Sequence, residues 1–316
     1  KILCILKISI KNMLIKGVNI MAIKKILSFS CKLCFISFAL TSFLNPIAKA
    51  DTITSTSPTL PYATSYYNGY NMVWNDEFNE NNLDLTKWKY GTTPENGSMK
   101  YVNSSDNVYV KDGNLVLAAI KDDSLGDKFT ASSGMVITEG LASWKYGRFD
   151  IRAKLPVEQG MWPAIWMMPQ DSKYGWPNDG EIDIMEALGS EKNKIYGTLH
   201  SGNNTDGGQS TGVTYTLSSG DLSDDYHTYS IIWEPEKIHF LIDNKEYGVV
   251  DKWPSYFKVN DTQYSLDFPD PFNKPFYLML NLGVGGDWGG EPNNTTKWGE
   301  NTKMYVDYVR VYQKSK

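Results

Sequence analysis

The chain has 316 residues, of which 41% are hydrophobic and 13% aromatic, with 36 acidic against 31 basic side chains. Residues 1 to 50 contain eight lysines and no acidic residue, so everything after them holds 23 basic against 36 acidic residues, a formal net charge of −13. Such a surface excludes nucleic acid and anionic membranes as partners, because both are held through clustered Lys and Arg. All three cysteines, Cys4, Cys31 and Cys34, fall in that first segment, which leaves no disulfide and no Cys-ligated metal downstream.

From the N-terminus, the first predicted element is a targeting segment. Lys24 and Lys25 follow Met21, an apolar run extends from Leu33 to Leu44, and Ala48-Lys49-Ala50 offers small residues for cleavage before Asp51. Met21 reads as the start, with residues 1 to 20 as upstream sequence. Lys32 keeps the apolar run short of the roughly 20 residues that span a bilayer. The expectation is a secreted, monomeric protein with no membrane span once processed. Residues 51 to 71, rich in Thr, Ser and Pro, read as a flexible leader, and residues 72 to 316 as one domain.

Strand signals dominate that domain. Asp112-Gly113 separates Val108-Tyr109-Val110 from Leu115-Val116-Leu117, which predicts a tight hairpin. From Gly147 to Leu155, Phe149, Ile151, Ala153 and Leu155 alternate with Arg148, Asp150, Arg152 and Lys154, so one face is core and the other polar. His227, Tyr229, Ile231 and Trp233 alternate in the same way, and a second hairpin is expected at Asp243-Asn244, after Ile238, Phe240 and Ile242. Many strands with short turns and no long helical pattern predict an all-β antiparallel sandwich of two sheets.

The densest chemistry lies at Gly180-Glu181-Ile182-Asp183-Ile184-Met185-Glu186, where three carboxylates sit among apolar neighbours. Ile182 and Ile184 mark a strand with one face in a core, which puts Glu181 and Asp183 together on the other face. Like charges placed so repel. Glycoside hydrolysis gives a reason to accept that repulsion, because it needs two carboxyls held close, one protonated and one ionised, about 5 to 5.5 Å apart for retention or about 6.5 to 9.5 Å for inversion. Glu186 is five steps from Glu181 and would fall on the wrong face of a regular strand. A bulge at Ile184 or Met185 would bring it back. Trp162, Trp166 and Trp176 lie just upstream, and flat aromatic faces suit the C–H patches of sugar rings.

Glu-Ile-Asp-Ile-Met-Glu at 181 to 186 resembles the active-site signature of glycoside hydrolase family 16 in its laminarinase-like form. The resemblance extends in order through Trp74-Asn75-Asp76-Glu77-Phe78, Leu83-Asp84 with Lys87-Trp88, Tyr146-Gly147-Arg148-Phe149, Gly160 to Trp166, Gly283-Val284-Gly285-Gly286 and Val306 to Tyr312. It implies a β-jelly-roll sandwich with an open concave cleft, and a retaining endo-hydrolase acting on β-1,3 or mixed β-1,3/1,4-glucan without a catalytic cofactor. By residue it implies Glu181 as nucleophile, Asp183 as its assistant and Glu186 as general acid and base. Sugar subsites would be lined by Trp162, Trp166, Trp176, Arg148 and His200. A structural calcium ion would be held by Glu77, the backbone of Gly113 and Asp307. Where many relatives carry a Glu-Leu pair followed by aromatics, this chain has Gly97-Ser98-Met99-Lys100-Tyr101, so contacts at the non-reducing end of the cleft do not carry over. The alternatives are another polysaccharide on the same fold, transglycosylation through the same covalent intermediate, or a β-glucan-binding lectin-like protein. The last would need neither Glu181 nor Glu186.

Overall fold

The structure is a computed structural model that describes residues 69–91, 97–126, 128–202, 209–259 and 262–315. The expected targeting segment, its cleavage site and most of the leader lie outside the described residues. Alternating apolar runs of the kind read above form two antiparallel sheets. The eight-stranded sheet runs β16 (Lys245–Val250), β15 (Lys237–Ile242), β14 (His227–Glu234), β9 (Gly147–Lys154), β20 (Lys303–Lys314), β5 (Asn114–Ala118) and β4 (Val108–Lys111), with β1 (Tyr70–Asp76) also paired to β20. The seven-stranded sheet runs β13 (Gln209–Thr216), β12 (Lys194–Ser201), β11 (Glu181–Ala187), β10 (Met161–Pro169), β19 (Phe276–Val284), β8 (Met135–Ile137) and β2 (Lys89–Tyr90). Three short strands, β3 (Met99–Tyr101), β7 (Ala131–Ser133) and β6 (Ile120–Lys121), form a third small sheet, and β17 (Tyr256–Val259) with β18 (Thr262–Ser265) makes a separate hairpin. β1 begins at Tyr70, two residues before the expected domain start.

Both expected hairpins form. Asp112 and Gly113 turn with φ of 52° and 74°, and Asp243 and Asn244 with φ of 50° and 63°. Two consecutive left-handed residues match the twist of the flanking strands, which is why Asx and Gly occupy these turns.

The core lies between the two large sheets. Phe149 and Ile151 of β9, Tyr229, Ile231 and Trp233 of β14, and Val309 and Val311 of β20 meet Ile165 and Met167 of β10, Ile182 and Ile184 of β11, and Leu278, Leu280 and Leu282 of β19. Each is all but fully buried, and a side chain of this size contributes about 1.5–3 kcal/mol when removed from water. The sheets approach closely at Gly197 of β12, where an added Cβ would meet the Phe240 ring of β15 at 2.3 Å. With the apolar residues turned inward, Glu181, Asp183 and Glu186 of β11 and Tyr196, Thr198 and His200 of β12 face the other side of the seven-stranded sheet. Among the described residues, no helix is long and apolar enough to cross a membrane.

Candidate active site

β11 carries the carboxylates, and its register shows how they share a face. On β12, Glu181 pairs with His200, Asp183 with Thr198 and Glu186 with Tyr196, so three steps on β11 are set against two on its neighbour. On β10, Trp166 pairs with Asp183 and Ile165 with Met185, which leaves Ile184 as the extra residue. Ile184 and Met185 are both turned into the core, 1% and 0% exposed. Two adjacent apolar side chains can point the same way only if the strand bulges between them. Their burial therefore drives the bulge, and the bulge returns Glu186 to the face of Glu181 and Asp183. Gly180, immediately before the strand, has φ of 89°, and a Cβ there would press against Pro271 and Phe272.

Indole donors and one imidazole surround the three carboxyls. Trp176 Nε1 donates to Glu181 Oε2 at 2.5 Å, and Trp162 Nε1 donates to Glu186 Oε1 at 2.9 Å. His200 Nε2 stands 3.1 Å from Asp183 Oδ2 and 4.0 Å from Glu181 Oε1. Burial, reinforced by the charge of Asp183, pushes the Glu181 carboxyl up to about 8. Burial likewise lifts Glu186 to about 7, against the pull of the Trp162 hydrogen bond. Asp183, only 2% exposed, lies well above its ordinary range through burial and then the charge of Glu186. Near neutral pH the cluster therefore retains protons, as an acid-base pair requires. The Asp183 and Glu181 carboxyls each shift the ionisation of the other. The two carboxyls therefore titrate as a pair, and the proton they share belongs to the pair.

All three anticipated tryptophans face this side. Trp166 Nε1 donates to Asn281 Oδ1 at 2.6 Å, and Asn281 Nδ2 donates to the Tyr101 hydroxyl at 2.8 Å. Tyr101, from the Gly97 to Tyr101 segment, joins Trp166 on a small apolar cluster of Met135, Ile137 and Met279. Sequence reasoning missed Trp288. It lies in the short helix α1 (Gly286–Gly289), 42% exposed, with its ring edge-to-face on Trp162 at 5.2 Å and on Tyr196 at 5.1 Å. Its bracketing glycines, directly after Gly283-Val284-Gly285-Gly286, were the available signal.

Arg148 is a correction. It stands on β9 of the eight-stranded sheet, where Phe149 and Ile151 point into the core and Arg148 points away from it, on the opposite side of the sandwich from the carboxylates. Its guanidinium is 5% exposed, donating to Asp150 Oδ1 at 2.8 Å and to Asn244 Oδ1 at 2.5 Å. Alternation told inside from outside, but not which of two outer faces.

The residues expected to hold calcium meet at one junction. β1 ends with Asp76 opposite Val309, and the pairing of β5 with β20 ends at Leu115 opposite Val306 on the same edge of β20, so Glu77 and Gly113 lie near Asp307. Asp307 is itself a bulged residue, between Val306 opposite Ala153 and Tyr308 opposite Arg152. The Glu77 carboxylate is gripped by Arg310 through both oxygens, at 2.9 and 2.7 Å, and Asp307 Oδ2 by Arg152 at 2.7 Å. The Glu77 side chain is therefore a salt-bridge partner. Its main-chain carbonyl, that of Gly113 and Asp307 Oδ1 are oxygen donors of the kind a hard cation takes.

Residues 95–309 match the model of glycosyl hydrolases family 16. The chain is 40% identical over 270 residues to glucan endo-1,3-beta-glucosidase A1 of Niallia circulans, an alignment covering 78% of this chain and 38% of that protein. It is 37% identical over 256 residues to a beta-glucanase of Rhodothermus marinus, covering 77% and 85%. Among solved structures, the laminarinase catalytic domain of Thermotoga maritima superposes with a TM-score of 0.67 at 33% identity, covering 78% of this chain and 99% of that one. The bulged carboxylate strand, the fold around it and these likenesses agree: the chain belongs to family 16 of the glycosyl hydrolases.

Proposed function

We propose that this protein is a retaining endo-glycosidase that hydrolyses internal β-1,3 linkages of β-glucans, with mixed β-1,3/1,4-glucan as a second substrate. The observation that carries the reading is the bulge that sets Glu181 and Glu186 on one face of β11, each held by an indole N–H. The relatives named as endo-1,3-beta-glucosidase and beta-glucanase support the substrate class.

In this reading Glu186 donates its proton to the glycosidic oxygen as the C1–O bond breaks, while the Glu181 carboxylate forms an ester bond to C1. The chain beyond the cleaved bond departs as an alcohol. Glu186, now a carboxylate, takes a proton from water, whose oxygen attacks C1 and releases Glu181, so the anomeric configuration is retained. Asp183 keeps a proton turned to Glu181 and limits the charge of the cluster. Trp162, Trp166, Trp176 and His200 contact the sugars, and no step uses a catalytic cofactor.

The test is the product profile of the residue 51–316 protein on an unbranched β-1,3-glucan, beside mixed-linkage glucan, cellulose and agarose. Short β-1,3-oligosaccharides with a rapid viscosity drop are expected; absence of cleavage on every β-glucan would overturn the reading. Structural calcium belongs to the same proposal, held by the carbonyls of Glu77 and Gly113 and by Asp307, with water completing its shell. A chelator should lower the melting temperature, and an unchanged value would remove calcium from the account. Export is likewise proposed, from the Lys24-Lys25, Leu33 to Leu44 and Ala48 to Ala50 pattern, with action as a monomer. Activity confined to the cell interior would contradict export, and a dimer mass in sedimentation would contradict the monomer.

A further inference from the structure

The loop between β10 and β11 is organised around one buried carboxylate that the chemistry above does not use. Asp179 is 2% exposed. Its Oδ2 accepts from three consecutive backbone N–H groups, those of Lys173, Tyr174 and Gly175 at 2.7, 2.5 and 2.7 Å, and from the Ser172 hydroxyl at 2.9 Å. Its Oδ1 accepts from Lys274 Nζ at 2.7 Å. Consecutive amides folded around an anion form a nest, and the anion fixes the backbone of every residue that contributes. Burial alone would push this carboxyl up, but Lys274 and the loop donors hold it below its ordinary value, so the anion persists.

The residue after the nest is Trp176. Its ring is 45% exposed, so its placement owes more to its backbone than to enclosure. A cavity of about 330 Å³ lies behind the loop, lined by Lys173, Tyr174, Asp179, Leu266 and Lys274 among others, leaving room for the loop to relax if its anchor is lost. The indole donates to Glu181 Oε2, and a donor on a carboxylate favours its charged form.

We propose that Asp179 is a positioning residue for the nucleophile: by gathering the amides of Lys173 to Gly175, it holds the Trp176 indole N–H on Glu181. The proposal rests on Glu181 being the nucleophile. The charged or titratable groups facing Glu181 are Asp183 and Glu186 of β11 and His200 of β12, and the loop reaches it through the neutral indole. Loss of the anchor removes a hydrogen bond to the ionised form. The acidic limb of kcat/KM, which follows ionisation of the nucleophile, then moves to higher pH by about one unit, the size expected for one hydrogen bond to a charged group.

The experiment compares the pH dependence of kcat/KM on a β-1,3-oligosaccharide for wild type, Asp179→Asn, Trp176→Phe, the double variant and Lys274→Gln. Asp179→Asn and Trp176→Phe are expected to move the acidic limb in the same direction, and the double variant no further, because both act on one bond. Lys274→Gln leaves the nest closed and should produce a smaller shift of the same sign, which serves as the test if Asp179→Asn does not fold. A lowered melting temperature with an unmoved limb, or a full Asp179→Asn shift in the Trp176→Phe background, would overturn the proposal. So would an unmoved limb in Lys274→Gln when Asp179→Asn cannot be purified. Glu181→Gln separates the two levels. If it retains turnover, the nucleophile assignment fails; if it is inactive and the limbs stay put, only the role of Asp179 fails.

Discussion

Replacing Glu181 by Gln is expected to stabilise the protein while abolishing its turnover. A carboxyl whose folded-state value is raised from 4.5 to about 8 binds its proton more tightly in the folded state than in the unfolded one. Its full stability is therefore present below pH 4.5 and is lost as the pH rises through about 8. That gap corresponds to a ceiling of about 5 kcal/mol at 1.36 kcal/mol per pH unit. Asp183 shares the proton, and removing one charge lets the other ionise more easily, so a gain on the order of 2 kcal/mol at pH 8 is expected. For a domain of this size that raises the melting temperature by about 4–8 °C. The Gln amide keeps an acceptor for Trp176 and gains donors toward Asp183, so no buried group is orphaned by the change. The assay is thermal unfolding of wild type and variant from pH 4 to pH 9. The difference should be near zero at pH 4 and widen to a plateau above pH 8. An equal difference at both ends, or a variant that melts lower at pH 8, would refute the argument that repulsion and burial in this cluster are held against folding.

Glu186 must carry a proton to act as acid, and burial raises its carboxyl to help it do so; in Glu186→Gln the basic limb of kcat/KM should vanish, with natural glucan turnover reduced by about 10²–10⁴ and aryl glycosides of good leaving groups spared. Trp288→Ala removes an exposed ring braced against Trp162 and Tyr196, and at about 1 kcal/mol for the lost aromatic contact should raise KM on long chains about fivefold, as initial rates would show. Arg148→Met strips the guanidinium from the buried Asp150. It should destabilise the fold by about 3 kcal/mol in denaturant titrations while leaving KM unchanged, the opposite of what a sugar-binding role would give.

Local rules carried the fold a long way. Asp112-Gly113 and Asp243-Asn244 turn as their residue types demand, and the alternation from Phe149 to Leu155 places one face of β9 in the core. The bulge in β11 was legible for a stricter reason: an odd spacing between Glu181 and Glu186 is incompatible with a regular strand, so a shared face required an extra residue. Burial then selected which residue, since Ile184 and Met185 both gain by entering the core.

What the sequence withheld concerns relations between distant segments. Period-two alternation assigns a side chain to the outside of its own sheet, yet a sandwich has two outsides, and only the pairing of β9 with β14 and β20 puts Arg148 opposite the carboxylates. Tyr101 reaches Asn281 across 180 positions, a contact no local pattern encodes. Asp179 was hidden differently: it stands just outside the Gly180 to Glu186 motif, and no local pattern marks it. Its neighbours in space are backbone amides and Lys274, which keep it ionised, whereas the burial and mutual repulsion of Glu181, Asp183 and Glu186 hold protons on them. Four carboxyls within eight residues thus divide into one that orders a loop and three that share acid-base chemistry, and the division follows from what each one faces.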